Sequence, residues 1–240
     1  MYNELKKIVL ESNNIVFFGG AGVSTESNIP DFRSEAGLYN AIQKYSHPPE
    51  EMLSRTFFTN NTDTFFDFYK NEMIYESAEP NDAHKALAQL EAEGKIKAVI
   101  TQNIDGLHQK AGSKNVYELH GSVYRNYCMS CNTFYGLHQV IASKKIPICT
   151  VCGGIIKPDV VLYEEALNED VLNDSIIALQ SADTLIIGGT SLLVYPAAGL
   201  VNYFKGEHLV LINKGETAYD DRADVIINDS IGEVFKEIRK

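Results

Sequence analysis

The chain has 240 residues, with 45% hydrophobic and 22% charged side chains, a balance that fits a folded globular protein and excludes a low-complexity one. Lysine and arginine number 21 against 32 aspartate and glutamate, a net charge of -11. That charge argues against a nucleic-acid partner and is compatible with basic peptide partners, although acidity also serves solubility alone. In chain order, Leu5, Ile8 and Val9 give a short amphipathic helix, and Ile15-Val16-Phe17-Phe18 a buried strand that enters the turn Gly19-Gly20-Ala21-Gly22. Residues 34–78, rich in Phe and Tyr and containing Pro48-Pro49, read as a set of short inserted helices. A helical pattern over 84–93 precedes a second strand at 98–101. Residues 122–159 hold every cysteine and several short β-like segments. Helical patterns at 168–180 and 231–239 then alternate with strands at 184–187, 209–212 and 225–227. Strands alternating with helices predict an α/β fold with a parallel sheet.

The opening segment mixes Glu4, Lys6, Lys7 and Glu11 with apolar positions and lacks the apolar core of an export signal. No run of about 18 apolar residues occurs, so no membrane span is expected. Cys128-x2-Cys131 and Cys149-x2-Cys152 stand 17 residues apart and use all four cysteines. Two such pairs on tight turns close four thiolates around one tetrahedral Zn²⁺ with no open position, which predicts a structural site. A cytoplasmic location follows from reading them as metal ligands and not as disulfides.

The Gly-rich turn lets a backbone approach a pyrophosphate and is expected to open a helix, but it lacks the G-x-G-x-x-G spacing, and a tight structural turn explains it equally well. Other strand ends add weight. Thr101-Gln102-Asn103-Ile104-Asp105 follows one strand, Gly188-Gly189-Thr190-Ser191 another, and Ile212-Asn213-Lys214-Gly215 a third. Polar and small residues at the carboxyl ends of strands are where open α/β sheets bind ligands.

Taken in order, Gly20-Ala21-Gly22-Val23-Ser24, Pro30-Asp31-Phe32-Arg33, Thr101-Gln102-Asn103-Ile104-Asp105, Leu119-His120-Gly121, the paired C-x-x-C, Gly189-Thr190-Ser191 and Asn213 resemble the sirtuin family. The resemblance spans residues 19 to 215 and so covers essentially the whole chain. It implies a Rossmann-like parallel sheet with helices on both faces, a helical insertion and a zinc module. Residues 1–33, 79–121 and 160–240 would form the NAD-binding domain, with 34–78 and 122–159 together forming the small domain.

The resemblance implies an NAD-dependent protein lysine deacetylase, with NAD as co-substrate and one structural Zn²⁺. The acyl oxygen of the lysine attacks the nicotinamide ribose, and His120 serves as general base toward a ribose hydroxyl. The products are free lysine, nicotinamide and O-acetyl-ADP-ribose. Asn103, assigned to catalysis with His120, and Asp105 would hold the nicotinamide pocket, with Ile104; Asn103 and Asp105 alternatively cap the helix that follows. Phe32 would cover the ribose, or simply sit in the core. Arg33 and Gln102 would contact phosphate and ribose, with Asp31 beside them. Gly20, Ala21, Gly22 and Thr25 would line the phosphate turn. Gly189, Thr190, Ser191 and Asn213 would take the adenosine half, with Ile231 flanking adenine. The peptide would enter as a strand between Val161-Leu162-Tyr163-Glu164 and Leu193-Val194-Tyr195-Pro196. Partners are thus acetylated lysine-containing proteins, with no nucleic acid and no membrane, met by a monomer.

The sequence departs from many sirtuins in two places. Gly19 stands where many have Thr, and Tyr163-Glu164-Glu165 stands where many have Phe-Gly-Glu. A succinyl-directed Tyr-x-x-Arg pair is missing, since Tyr39 is followed by Asn40-Ala41-Ile42, so acetyl or a longer apolar acyl group is expected. Rival readings are a mono-ADP-ribosyltransferase and a non-catalytic NAD-binding module. The missing G-x-G-x-x-G spacing disfavours a dehydrogenase.

Overall fold

The computed structural model describes residues 2–31 and 44–238. The chain starts with α1 (Tyr2–Glu11), which buries Leu5, Ile8 and Val9 along one stripe. Ser12 ends it by folding its hydroxyl back onto the Ile8 carbonyl at 2.6 Å. Strands β1 (Ile15–Gly19), β2 (Ile96–Thr101) and β3 (Val116–Glu118) then build one half of a sheet. A separate small sheet follows, made of β4 (Gly121–Cys128), β5 (Phe134–Tyr135) and β6 (Ile156–Val160). The chain then returns to the first sheet with β7 (Thr184–Gly188), β8 (His208–Ile212) and β9 (Val225–Ile227).

The large sheet has the order β3-β2-β1-β7-β8-β9, and every neighbouring pair is parallel. This is the doubly wound arrangement, and its strand order reverses between β1 and β7. Side chains alternate across it, as the pleat requires. Phe17, Val99, Ile186 and Val210 face α1, α5 (Asp82–Ala92) and α9 (Ile231–Ile238). Phe18, Ile100, Ile187 and Leu211 face α8 (Glu169–Ser181) and the 3₁₀ segment Ala197–Tyr203. Each such fully buried side chain stabilises the fold by roughly 1.5–3 kcal/mol.

A third core belongs to the small sheet. Three short helices, α2 (Pro49–Met52), α3 (Arg55–Asn60) and α4 (Thr62–Glu72), supply Met52, Phe57, Phe58, Phe65, Phe66, Phe68 and Tyr69. These pack on Val123, Ile156 and Val160 of the small sheet and on Val140 of α7 (Leu137–Ala142). The aromatic insertion and the cysteine segment therefore share one interior. Each has too few apolar residues to bury a core alone, and packing together removes both apolar faces from water.

Two local features differ from the sequence reading. The Gly-rich turn opens two 3₁₀ turns, Ala21–Val23 and Thr25–Ser27, in place of a longer helix. Asn28 stops the run in the left-handed region at φ 61°, and Pro30 biases Ile29 away from helix. The strand β3 was not expected. It is three residues long and carries only one aliphatic residue, too little for a periodic signal.

Candidate active site and metal centre

Register brings the site together. Gly19 pairs with Thr101 and with Gly188, Thr101 with Glu118, and Gly188 with Ile212, so five strands end at one level. The segments that leave them are therefore neighbours, although up to about 190 residues apart in sequence. At the reversal point the Gly22 N–H donates to the Gly189 carbonyl at 2.8 Å. A Cβ on Gly22 would lie 2.8 Å from the Gly189 Cα, and Gly189 itself sits at φ 59°. Both glycines are needed for this backbone crossing, whatever ligand lies above it. Thr25 secures the turn by donating its hydroxyl to the Gly22 carbonyl at 3.0 Å.

His120 lies at the junction of the two sheets, between β3 and β4. Gly121 turns the chain there at φ 77°, where a Cβ would meet the Asp159 carbonyl oxygen at 1.8 Å. Its Nδ1 lies 2.9 Å from the Gln102 carbonyl. A carbonyl only accepts, so in the neutral ring Nδ1 carries the proton and Nε2 holds the lone pair. Burial pushes the imidazole below its ordinary value, against the opposing pull of the Gln102 carbonyl. Gln102 also donates its backbone N–H to the Gly19 carbonyl at 3.0 Å and its side-chain amide to the Thr190 hydroxyl at 3.0 Å. One residue thus ties the His120 tautomer to both sides of the reversal point.

Beside it runs a chain of three side chains. The Asn103 amide donates to the Ser24 hydroxyl at 3.1 Å, and Ser24 donates to Asp105 Oδ2 at 2.6 Å. Asp105 Oδ1 accepts the Leu107 N–H at 2.9 Å, at the start of α6 (Leu107–Ala111). Burial raises the Asp105 carboxyl above its usual range, and the Ser24 and Leu107 donors oppose the rise. Asp105 therefore accepts the first N–H of α6 and also ends a polar chain that lines the cleft.

A cavity of about 600 Å³ opens over these groups. Ala21, Ser24, Asp31, Gln102, Asn103, Ile104, Asp105, His120 and Ser191 line it. Val161, Leu162, Tyr163 and Glu164 line it as well, with Val194, Tyr195 and Pro196. The wall carrying 161–163 is anchored, since the Val161 N–H donates to the His120 carbonyl at 3.0 Å and the Tyr163 N–H to the Leu53 carbonyl at 2.9 Å.

The four cysteine sulfurs lie within 4.8 Å of one another. Cys128 to Cys152 is 3.4 Å, Cys131 to Cys149 is 3.6 Å and Cys131 to Cys152 is 3.3 Å. A tetrahedral Zn²⁺ with Zn–S near 2.3 Å requires about 3.8 Å between sulfurs, so the set fits that ion. Donors face the thiolates: the Ser130 N–H reaches Cys128 at 3.4 Å, the Val151 N–H reaches Cys149 at 3.4 Å, and the Tyr135 hydroxyl reaches Cys149 at 3.1 Å. A Cβ on Gly154 would lie 3.0 Å from the Cys128 sulfur, so a larger residue there would crowd the cluster.

The family model described as the Sir2 family matches residues 20–196. The chain belongs to the Sir2 family. It is 64% identical over 237 residues to the NAD-dependent protein deacetylase of Clostridium acetobutylicum, covering 98% of this chain and 97% of that one. A solved Sir2 structure with a deacetylated p53 peptide and 3'-O-acetyl ADP-ribose superposes with a TM-score of 0.89. That pair is 40% identical, with 98% of this chain and 96% of the other covered. A Sir2 complex with p53 peptide and NAD⁺ gives 0.86 at 38% identity, with 99% and 97% covered.

Not every residue expected at the Sir2 site faces the cavity. Gly20, Gly22, Gly189 and Thr190 form the crossing beneath it. Asn213 lies past the end of β8, where its side-chain amide donates to the Gly215 carbonyl at 2.8 Å. Ile231 is only 4% exposed and sits in the sheet core against Gly188, away from the cavity wall. Phe32, Arg33 and Tyr39 lie outside the described residues. Ser24 was not assigned a role from sequence, although it stands within the quoted Gly-rich motif. Its position four residues past the first motif glycine was the available signal, but its partners are 79 and 81 residues away. His108, near the site in sequence, is buried against His84 and Phe17 and does not line the cavity. Burial holds its imidazole well below the ordinary value.

Proposed function

We propose that this chain is an NAD-dependent protein lysine deacetylase whose general base is His120 Nε2. The observation that carries this assignment is the Nδ1 contact to the Gln102 carbonyl, 2.9 Å long, which fixes the tautomer in a ring that lines the cavity. A burial-lowered imidazole is neutral near pH 7 and can take a proton from a hydroxyl presented in the cleft, a contribution of about 10²–10⁴-fold in rate. When bound, NAD supplies the ADP-ribosyl acceptor of the acyl group and releases nicotinamide.

The residues present fit that co-substrate. Asn103, Ile104 and Asp105 would hold the carboxamide end, with Ser24 keeping the amide and the carboxylate in place. Gln102, Ala21, Asp31 and the crossing of Gly20, Gly22 and Gly189 would carry the middle of the dinucleotide, with Thr25 bracing the turn. Thr190, Ser191 and Asn213 would meet the adenosine half. Phe32 and Arg33 complete the set assigned from sequence. Val161, Leu162, Tyr163 and Val194 would pair with the substrate backbone as an added strand. The four cysteines, none of which lines the cavity, would hold a structural Zn²⁺.

We divide the chain into an NAD-binding domain and a small domain as above; the separate core under the small sheet favours two parts, and it takes in Val160 and Leu162 as well. No helix among the described residues is long and apolar enough to cross a membrane. The clustered free thiols support a cytoplasmic location, and the charge of -11 supports action on acylated proteins and not on nucleic acid. Mass spectrometry of an acetyl-lysine peptide incubated with enzyme and NAD tests the reading. Loss of the acetyl mass is expected, and gain of an ADP-ribosyl mass in its place would overturn it.

A further inference from the structure

The described part of the cavity wall is electrostatically one-sided. Among the described lining residues are five carboxylates, Asp31, Glu72, Asp105, Glu164 and Glu165, and no lysine or arginine. Two of these are balanced from behind. Glu165 pairs with Arg55 at 3.2 Å and with Lys157 at 3.1 Å, and Glu72 with Lys44 at 3.6 Å. Asp105 is engaged by Ser24 and Leu107. Glu164 has no ion pair among the described residues, and it is exposed on the cavity wall that Val194 and Tyr195 also line.

Glu164 is also held there at a cost. It sits at φ 75°, the left-handed region, where many sirtuins have glycine. Its Oε2 accepts both the Thr56 N–H and the Thr56 hydroxyl at 2.8 Å each, in the first turn of α3. Those bonds fix the side chain and offset the backbone strain. They use one oxygen and leave Oε1 with no bond in the structure. A carboxylate that replaces a glycine in a strained conformation, and is then immobilised at the mouth of the cleft, presents a fixed negative charge to whatever strand enters.

We propose that Glu164 is a specificity-determining residue that selects acetyl-lysine substrates with an arginine or lysine flanking the acetylated position. The proposal rests on the deacetylase reading and names the substrate class of the same cleft. An exposed ion pair of this kind gives about a two- to five-fold preference, and salt screens it.

The test compares kcat/KM for three acetyl-lysine peptides, alike except for arginine, glutamine or glutamate at the flanking positions. Each is assayed at low and high salt with the wild type, Glu164→Gln and Glu164→Gly. Glutamine keeps an oxygen for Thr56, and glycine fits the positive φ, so each variant removes the charge by a route that preserves the loop. The expected wild-type order is arginine above glutamine above glutamate. The difference should appear in KM, shrink at high salt and fall to about one-fold in both variants. Equal efficiencies in the wild type, or an unchanged order in both variants, would overturn this proposal alone. No turnover of any peptide would overturn the deacetylase reading and this proposal with it.

Discussion

Replacing Ser24 by alanine removes two bonds at once from a side chain that is 1% exposed. The 2.6 Å bond to the Asp105 carboxylate is charge-assisted and is worth roughly 1.5–3 kcal/mol, and the 3.1 Å bond from Asn103 roughly 0.5–1.5 kcal/mol. Together they predict a loss of about 2–4 kcal/mol, or on the order of 5–15 °C in Tm for a chain of this size. The loss has a pH signature. Burial already raises the Asp105 carboxyl, and the Ser24 donor pulls it down, so Ser24→Ala moves it further up. The stability lost is therefore present in full at pH values where Asp105 is ionised in both proteins. It shrinks as pH falls through the folded-state values of Asp105 in the two proteins, because a protonated carboxyl no longer needs that donor. Melting curves from pH 8 down to pH 4.5 measure it. The gap between the two proteins should be widest at the alkaline end and narrow on acidification. A gap that stays constant with pH, or one below about 0.5 kcal/mol throughout, would refute the argument. Nicotinamide release by the variant should fall about 10- to 100-fold, because Asn103 loses the group that aims it.

Gly189→Ala would place a Cβ 2.4 Å from the Val23 nitrogen at φ 59°. It should destabilise by about 3 kcal/mol or more, seen as a lower urea midpoint with unchanged slope. A midpoint equal to wild type would contradict the tight crossing. Elemental analysis should give one zinc per chain. Chelation should unfold the small domain and release the aromatic core it shares with α2–α4, so an unaltered melting curve would count against that coupling. The acid limb of kcat/KM should titrate below pH 6.5, because burial lowers His120. Activity is lost as pH falls and the ring takes up a proton, and a midpoint above 7 would be inconsistent with a base lowered by partial burial.

Much of this was legible in the sequence because the signals were local. The run Ile15–Phe18 and its counterparts at 98–101, 184–187, 209–212 and 225–227 became five strands of the six-stranded parallel sheet. The helix expected over 84–93 is α5, which starts two residues earlier because Asn81 accepts the Ala83 and His84 N–H groups. The cysteine spacing encoded a metal set because four thiolates on two turns have few other uses. The rest depended on groups distant in sequence. Whether Gly22 touches a ligand or Gly189 is decided by the strand order, and the order is not written in either glycine. The Asn103–Ser24–Asp105 chain joins two strand ends. Ile231 shows what a helix start alone leaves open: its apolar side chain suits a place beside adenine, and the fold also packs it against Gly188 at the end of β7. Glu164 lies between these cases, since its replacement of glycine was visible but its positive φ and its bond to Thr56 were not.

The central claim is that His120, poised by Gln102, drives chemistry that consumes NAD and an acylated lysine together. Nicotinamide release should be measured for wild type and His120→Ala with acetyl-lysine peptide and NAD, each alone and both together. The account predicts release by the wild type only when both are present, and a loss of about 10²-fold or more in the variant. Release from NAD without peptide, or a variant as active as the wild type, would contradict it.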